Sequence, residues 1–226
     1  PLGPLSGLRA LVTSGPTVEA IDPVRFLSNH SSGKQGHAVA TALQQAGAAV
    51  TLVSGPVSEP DPDFVDTVNV SSAAQMLEAC EHALPVDIAV CVAAVADWRP
   101  ADHEAQKIKK RAGEGPPSIA LVENPDILKT LAHADDRPRL IVGFAAETEH
   151  LEEHAQKKLM TKGCDWIVAN DVSSEQATFG GVDNTVSLFR SDRKPETWPK
   201  LTKVAVAERL VQQIALHFDE RRNGGV

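Results

Sequence analysis

Short apolar runs alternate along the chain with longer segments in which apolar residues recur every three or four positions. The runs predict buried strands at residues 8–13, 49–53, 87–92, 140–144 and 166–169. The longer segments predict helices at residues 36–47, 71–83, 126–134, 150–162 and 203–218. Strands that alternate with helices in this way are typical of an α/β fold, in which a mostly parallel sheet carries helices on both faces.

Residues 184–201 interrupt this alternation. They contain an apolar run at 185–189, which predicts a strand, and a polar stretch at 191–199, which is typical of a turn. The segment could be a hairpin at the sheet edge or a small antiparallel dimerisation flap. Because it is polar and irregular, we expect it to lie outside the central sheet and to pair across the two-fold axis of a homodimer. Residues 1–7 are interpreted as a linker or tag remnant, and 8–226 as one domain that could have been cut from a longer polypeptide.

Ligands of such a sheet bind beyond the carboxyl ends of its strands. The segments that follow the strands at 8–13, 87–92 and 140–144 begin at Ser14, Ala93 and Ala145. The first segment contains residues 28–36, SNHSSGKQG, ahead of a predicted helix. Glycines and small hydroxyl residues at a helix start leave backbone N–H groups free to bind phosphate oxygens. The segment lacks Walker A spacing, and a capped surface loop is the alternative interpretation.

Lysines supply the positive charge that a phosphate site needs. The chain has 22 lysines and arginines against 30 acidic residues, a net charge of -8, which argues against a nucleic-acid-binding protein. Within this acidic chain, residues 107–111 (KIKKR) concentrate positive charge, and Lys158 and Lys162 share one face of a predicted helix. Such cations could neutralise a triphosphate. Ordinary solvated charge, or complementation of the helix dipole, is the alternative explanation.

Other candidate residues follow the predicted strands. Asp97, within AAVADWRP at 93–100, could accept hydrogen bonds from a base or ribose, or could cap a turn. Phe144 could stack on a base, and Asn124 or Asp126 could start a helix. The histidines show no metal-ligand spacing, and three cysteines without a C-x-x-C pair favour core positions in a reduced, cytoplasmic protein. No apolar run reaches the roughly 20 residues that span a membrane.

Taken together, these segments resemble one family, phosphopantothenoylcysteine synthetase. The resemblance runs from residue 8 to residue 218 and rests on motifs in the family's order and spacing: GPT at 15–17, IDPVRFLSNHSSGK at 21–34, VSGP at 53–56, AAVADWRP at 93–100, KIKK at 107–110, NPDI at 124–127, GFAAET at 143–148 and ANDV at 169–172. The family has a Rossmann-like fold. It is usually the C-terminal half of a bacterial bifunctional protein whose N-terminal half is a flavin-dependent decarboxylase. The KIKK segment resembles the CTP-using bacterial branch more than the ATP-using animal branch.

The resemblance implies a two-step ligase reaction in a homodimer. CTP activates the carboxylate of 4′-phosphopantothenate as an acyl-cytidylate, and L-cysteine then displaces CMP. Mg²⁺ is expected on the phosphates, mostly coordinated by water, with no protein ligands assigned. The residues expected to hold the activated pantothenate arm are Arg25, Asn29, Ala93 and Ala94. The residues expected to bind CTP are Asp97, Lys107, Pro125, Asp126, Ile127, Leu128, Phe144, Lys158 and Lys162, and the catalytic candidates are Asn29 and Lys107.

Two other functions are compatible with an α/β fold. An NAD(P)-dependent oxidoreductase usually has a tight G-x-G-x-x-G turn after its first strand and an acidic residue after its second. Here a long loop follows residue 13, and the second predicted strand is followed by Ser54 and Gly55 without an acidic residue. A nucleotide-sensing module would bind nucleotide without turning it over. The ordered motifs favour the ligase.

Overall fold

The computed structural model describes residues 2–109, 115, 117–147, 150–171, 183–184 and 186–223. Its helices are α1 (Lys34–Gln45), α2 (Ala73–Ala83), α3 (Ile127–Ala132), α4 (Leu151–Lys162) and α5 (Lys203–Asn223). Its strands are β1 (Arg9–Ser14), β2 (Val18–Asp22), β3 (Arg25–Ser28), β4 (Ala49–Ser54), β5 (Asp66–Asn69), β6 (Ile88–Cys91), β7 (Trp98–Pro100), β8 (Leu121–Glu123), β9 (Leu140–Glu147), β10 (Trp166–Asp171), β11 (Asp183–Asn184), β12 (Val186–Arg190), β13 (Arg193–Thr197) and β14 (Leu201–Thr202). The predicted helices and strands are all present, with shifted ends.

The central sheet contains eight strands in the order β13-β12-β10-β9-β6-β1-β4-β5. The strands from β10 to β5 run parallel to one another. Strands β12 and β13 are antiparallel to their neighbours. Small antiparallel pairs, β2–β3, β7–β8 and β11–β14, lie outside this sheet. The predicted fold class, a mostly parallel α/β sheet with a small antiparallel addition, is confirmed.

Two apolar cores enclose the sheet, because successive side chains of a strand point to opposite faces. On β1, Val12 enters the core beneath α1 and α5, whereas Leu11 enters the core beneath α2, α3 and α4. Leu43 of α1 and Leu131 of α3 are both fully buried. These layers hold the parallel strands together, so that the loops at their carboxyl ends meet on one edge. None of the helices described is both long and apolar enough to cross a membrane.

The segment at residues 184–201 corrects one expectation. Its strands β12 and β13 extend the central sheet, so the expectation that it lies outside that sheet is wrong, and the alternative of a hairpin at the sheet edge is right. On β12, Leu188 packs into one core and Phe189 into the other. The polar stretch that suggested a turn is largely β13, an edge strand with mostly exposed residues, and an edge strand tolerates charge. Thr185 lies outside the described residues.

Several short strands were not predicted from the sequence. Residues 14–35, expected to be a loop, contain the antiparallel pair β2–β3. Strands β5, β7 and β8 were also missed. Most residues of β3, β5 and β8 are exposed, so their sequences contain no apolar run of the kind that predicts a buried strand.

Glycines allow the loops after β1 and β4 to pack tightly against each other. A Cβ atom on Gly55 would overlap the carbonyl oxygen of Pro16, and one on Gly36 would overlap the side chain of Ser14. Gly15, directly after β1, has a φ of +75°, which residues with side chains rarely adopt. The carboxyl ends of β1 and β4 are therefore in close contact with each other and with the start of α1.

Gly55→Ala should destabilise the protein, because the added methyl group would force the backbone at Pro16 to move. Overpacking of this kind costs about 1–3 kcal/mol. Urea unfolding followed by circular dichroism should give a lower midpoint for this variant. Gly115→Ala is the control, since a Cβ atom there meets nothing within 4 Å. Equal midpoints for the two variants would contradict the tight packing.

Candidate active site

A cleft of about 770 Å³ opens at the carboxyl ends of the parallel strands. Its walls come from the segments that follow β1, β6 and β9, from the amino-terminal ends of α1 and α3, and from two lysines of α4. The three segments expected to carry the chemistry therefore do meet in one place, as the rule for open α/β sheets predicts.

The cleft gathers most of the residues predicted from the sequence. Those on its walls are Asn29, Ala93, Ala94, Asp97, Pro125, Asp126, Ile127, Leu128, Phe144, Lys158 and Lys162. Arg25 and Lys107 do not line it. Arg25 lies at the turn between β2 and β3, where its guanidinium donates to the carbonyl oxygen of Ile108, the neighbour of Lys107. The last two cations of the KIKKR cluster, Lys110 and Arg111, lie outside the described residues.

Hydrogen bonds join the segment after β1 to the segment after β6. The Thr13 hydroxyl accepts from the backbone N–H groups of Val92 and Ala93, each at 3.2 Å. Further along, the N–H of Ala94 donates to the carbonyl oxygen of Gly15 at 2.9 Å. These bonds hold the two alanines at the cleft wall, where their small side chains allow a ligand to approach the backbone.

Asn29 is attached to the same loop. Its side-chain N–H donates to the carbonyl oxygen of Val95 at 2.9 Å. The N-cap position of α1 belongs to Gly33 instead. A side-chain amide has two N–H donors and an oxygen acceptor. Within the described part of the chain, the side-chain oxygen of Asn29 accepts no hydrogen bond. Asn29 is thus fixed by one contact while the rest of its amide can bind a ligand.

The amino-terminal end of α1 is open toward the cleft. Gly33 has a φ of 76°, caps α1 without a side-chain hydrogen bond, and is followed by a first turn that contains no acidic residue. Behind it, the Ser14 hydroxyl donates to the Gly33 carbonyl oxygen at 2.9 Å and lies 2.9 Å from Nδ1 of His37. Free backbone N–H groups and the positive end of the helix dipole favour an anion at this position. Phosphate binding itself stays a prediction.

Lys162 forms an ion pair with Asp126 on the opposite wall. Asp126 is also the N-cap residue of α3, where its carboxylate accepts from the N–H of Lys129 at 3.1 Å. The side chains of Lys162 and Asp126 are 33% and 36% exposed, so the pair adds little stability. A phosphate would have to compete with Asp126 for Lys162.

Buried Asp22 holds the segment that carries Lys107. Its carboxylate accepts from the Arg25 guanidinium at 3.0 Å and from the N–H of Ile108 at 3.1 Å. Burial raises the pKa of the Asp22 carboxyl, but its hydrogen bonds, with the charge of Arg25, outweigh that effect and hold the pKa below its usual value. The carboxylate therefore stays ionised at neutral pH, and its contribution to stability would be lost only as the pH falls through this lowered pKa.

Cys80 and Cys164 are buried in the core, as predicted, whereas Cys91 is half-buried and lines the cleft. Burial raises the pKa of Cys80 and of Cys164 to about 12. Burial also raises the pKa of Cys91 well above its ordinary value. Because the thiolate is the nucleophilic form, none of these side chains is suited to covalent catalysis.

Comparison with known proteins identifies the family. The family model described as the DNA/pantothenate metabolism flavoprotein C-terminal domain matches residues 5–217. The chain belongs to this family. The coenzyme A biosynthesis bifunctional protein CoaBC of Escherichia coli (strain K12) is 43% identical over 223 residues, which cover 98% of this chain and 55% of that protein. CoaBC of Vibrio vulnificus (strain CMCP6) is 44% identical over 212 residues, covering 93% and 53%. The chain thus spans about half the length of these relatives.

Solved structures of the family agree with this placement. The crystal structure of the C-terminal domain of CoaBC has a TM-score of 0.81 and 42% identity, covering 96% of this chain and 99% of that one. A Cab2 mutant in complex with phosphopantothenate-cysteine has a TM-score of 0.78 at 16% identity, covering 97% and 89%, which shows a shared fold alone. The resemblance drawn from the sequence is confirmed for the family and for the C-terminal half of CoaBC.

In this member of the family, some cleft residues were missed by the sequence analysis. They are Asn170, Val186, Lys200 and Lys203. A signal for Lys203 was available, since a lysine at the first position of α5 opposes the helix dipole. Burial lowers the pKa of Lys203, nearby Lys34 lowers it further, and Glu59 acts in the opposite direction. Positive charge is thus concentrated where an anion could offset it.

Lys203→Met should weaken pyrophosphate binding by about 1.5–3 kcal/mol, the range for a hydrogen bond to a charged group. Without ligand, the variant should be at least as stable as the wild type, because the removed charge is partly desolvated and lies near Lys34. Thermal unfolding with and without pyrophosphate measures both effects. Lys194→Met, at an exposed position of β13, is the control. Equal pyrophosphate-induced shifts in the two variants would exclude Lys203 from the site.

Proposed function

We propose that this domain is a phosphopantothenate–cysteine ligase of coenzyme A biosynthesis. It would join 4′-phosphopantothenate to L-cysteine through an acyl-cytidylate made from CTP. The cleft supports this best, because it combines an open helix terminus, lysines and a backbone-lined wall of small residues in one place. The relatives called coenzyme A biosynthesis bifunctional proteins support the pathway. We propose further that the domain works joined to a flavin-dependent decarboxylase.

Two displacements would form the amide. In the first, a carboxylate oxygen of 4′-phosphopantothenate attacks the α-phosphorus of CTP, the bond to the β-phosphate oxygen breaks, and pyrophosphate leaves. In the second, the cysteine amine attacks the acyl carbon, CMP leaves with the former carboxylate oxygen, and the amine loses a proton to solvent. Neither step needs a protein nucleophile. Nucleotidyl transfer depends instead on positioning and charge neutralisation.

The phosphates would bind between α1 and the lysines of the cleft. Backbone N–H groups that follow Gly33 would donate to phosphate oxygens. Lys158 and Lys162 approach from α4, and Lys203 from α5. In this arrangement Lys162 leaves the carboxylate of Asp126 and pairs with a phosphate when the nucleotide binds. The cytidine would lie against residues 125–128 and Phe144, with Asp97 facing the base or ribose.

Mg²⁺ would enter with the nucleotide. In the parts of the chain that the structure describes, no three histidine, cysteine or acidic residues converge on a point. A metal caged by protein therefore does not fit those residues. An ion held mainly by phosphates and water would need no such cluster. Bound in this way, the ion would neutralise charge on the phosphates.

The direct test is release of pyrophosphate with each nucleoside triphosphate, with and without 4′-phosphopantothenate. Release should require the acid, and kcat/KM should be at least about tenfold higher for CTP than for ATP, a ratio that pocket size can supply. The physical reason is that a purine would overfill the pocket beside residues 93–97. Comparable values for ATP would contradict the preference, and nucleotide binding without turnover would indicate a sensing module instead.

Asn29→Asp should separate the two half-reactions. The variant keeps the shape of the side chain but loses the N–H that binds Val95, and it adds negative charge next to the phosphates. Cytidylate formation depends mainly on the lysines and should partly survive. Attack by cysteine needs an oriented, polarised carbonyl and should fail, so bound acyl-cytidylate should accumulate in quenched-flow experiments. If amide forms as fast as cytidylate, Asn29 does not serve the second step.

We propose that the domain forms a homodimer through the face made by β2–β3 and β7–β8. Strands β2 and β7 are in contact, and large exposed apolar side chains cover the two pairs. They are Val24 (58%), Phe26 (59%), Trp98 (56%), Leu121 (48%) and Val122 (38%). Exposed apolar area of this kind is typical of an interaction surface. The β12–β13 hairpin is less suited, because β12 is already buried in the central sheet.

Sedimentation velocity should therefore give a dimer for the wild type and a monomer for Phe26→Asp. The matched control is Val204→Asp, at a valine on α5 that is 58% exposed, and it should remain dimeric. A wild type that is monomeric at all concentrations would refute the dimer. A dimeric Phe26→Asp would refute this interface.

A further inference from the structure

The ion pair of Asp22 and Arg25 contacts both the N–H and the carbonyl oxygen of Ile108. Its N–H donates to the Asp22 carboxylate at 3.1 Å, and its carbonyl oxygen accepts from the two terminal nitrogens of Arg25 at 3.4 and 3.5 Å. The two charged groups are 3.0 Å apart, and the Asp22 side chain is fully buried whereas that of Arg25 is 41% exposed. A residue of a surface segment is thus attached to a carboxylate inside the protein.

The segment around Ile108 has little other support. Residues 101–107 are exposed, and no helix or strand is assigned between β7 and residue 109. Two further backbone contacts are present: the N–H of Ala101 donates to the carbonyl oxygen of Ala120 at 2.9 Å, and the N–H of Glu104 donates to that of Ile21, at the end of β2, at 3.2 Å. The conformation of the segment therefore depends on hydrogen bonds to this end of the β2–β3 pair more than on packing.

The other end of the β2–β3 pair is attached to the cleft wall. The Ser28 hydroxyl donates to the carbonyl oxygen of Thr17 at 2.8 Å. The Thr17 hydroxyl in turn accepts from the N–H of Ala96, a residue of the wall, at 2.9 Å. Since a strand rises about 3.3 Å per residue, Arg25 lies roughly 10 Å along β3 from Ser28. The pair forms a short arm with the cleft at one end and Asp22 at the other.

On the basis of the proposed function, we infer that Asp22 is a positioning residue for Lys107 and Lys109. Together with Arg25 it fixes Ile108, and thereby the backbone of Lys107 and Lys109 on either side. In an extended segment these two lysines point the same way and Ile108 points the other way. Ile108 is half-buried and both lysines are exposed, in keeping with that arrangement. Lys107 and Lys109 lie outside the cleft lining, and the clamp would hold their backbone where the long side chains can reach toward the phosphates of a bound nucleotide, while Asp22 touches no substrate.

Asp22→Asn tests the clamp, because it keeps the shape of the side chain and removes the charge that Arg25 and Ile108 contact. The rate constant for pyrophosphate release with CTP and 4′-phosphopantothenate should fall between about tenfold and 100-fold, as expected when a catalytic group is misplaced. Trypsin should cleave the variant faster than the wild type after Lys107 and Lys109, as mass spectrometry of the fragments would show. Asp102→Asn, the same change at an exposed position of the same segment, should behave as the wild type.

A double-variant cycle with Lys107→Gln distinguishes positioning from general damage. If Asp22 acts through the lysine, the combined variant should be far less impaired than the product of the two single effects, since coupled residues are not additive. If the effects of Asp22→Asn and Lys107→Gln on the rate of pyrophosphate release simply multiply, the inference is overturned. It is also overturned if Asp22→Asn releases pyrophosphate and is cleaved by trypsin at the wild-type rates. If Lys107→Gln alone is fully active, the proposed role of Lys107 fails, and the trypsin measurement still decides whether the clamp exists.

A second variant keeps the test decisive if Asp22→Asn fails to fold. Ile108→Pro removes the N–H that donates to Asp22 and leaves the buried carboxylate unchanged. Its control is Ile108→Ala, which loses the side chain but keeps the N–H. The proline variant should lose pyrophosphate release and gain trypsin cleavage after Lys109, and the alanine variant should not. Equal behaviour of the two would overturn the role of the backbone contact.

Discussion

The cleft depends on the hydrogen bonds between the loop that leaves β1 and the loop that leaves β6. The Thr13 hydroxyl binds two successive N–H groups of the second loop, and the Thr17 hydroxyl binds a third, that of Ala96. Asn29 binds the same loop from the far side of the cleft. These contacts are made by side chains as well as backbone, and they hold the wall of small residues against the loop that leads from β1 to α1.

Local charge would let an acidic protein bind the highly anionic substrate that we propose. The net charge is -8, yet the cleft wall carries lysines from three helices and the open end of α1. Two of these cations lie beside carboxylates: Lys162 forms an ion pair with Asp126, and Lys34 lies 4.0 Å from Glu59. Lys203 instead has a lowered pKa. Burial and Lys34 disfavour its charged form, and a phosphate bound at this position would offset both effects.

The sequence predicted the main helices and strands and the location of the site, but not the short strands or the contacts between side chains. Buried strands and amphipathic helices were recognised because their apolar residues follow a period, and the site was located because parallel strands end on one edge. Strand β3 is mostly exposed and β2 has only five residues, so neither contains an apolar run, and the β2–β3 pair with its contacts to Ile108 was not recognised in the sequence. Strand β12 was wrongly expected outside the central sheet because the polar residues of β13, which follow it, made the whole segment look exposed. The Asp126–Lys162 pair could not be foreseen, since it depends on contact between distant segments. For Lys203 the helix start gave a signal that something offsets its charge, but not that this side chain lines the cleft.

The fate of a carboxylate oxygen of 4′-phosphopantothenate tests the proposed activation at the α-phosphate most directly. 4′-Phosphopantothenate labelled with ¹⁸O in its carboxylate would be incubated with CTP and L-cysteine, and the products analysed by mass spectrometry. Activation by attack on the α-phosphorus predicts one labelled oxygen in CMP for each amide formed, with pyrophosphate unlabelled. Unlabelled CMP, or label in inorganic phosphate together with CDP, would contradict it, because the acid would then be activated at the terminal phosphate and not at the phosphate that we assign to this cleft.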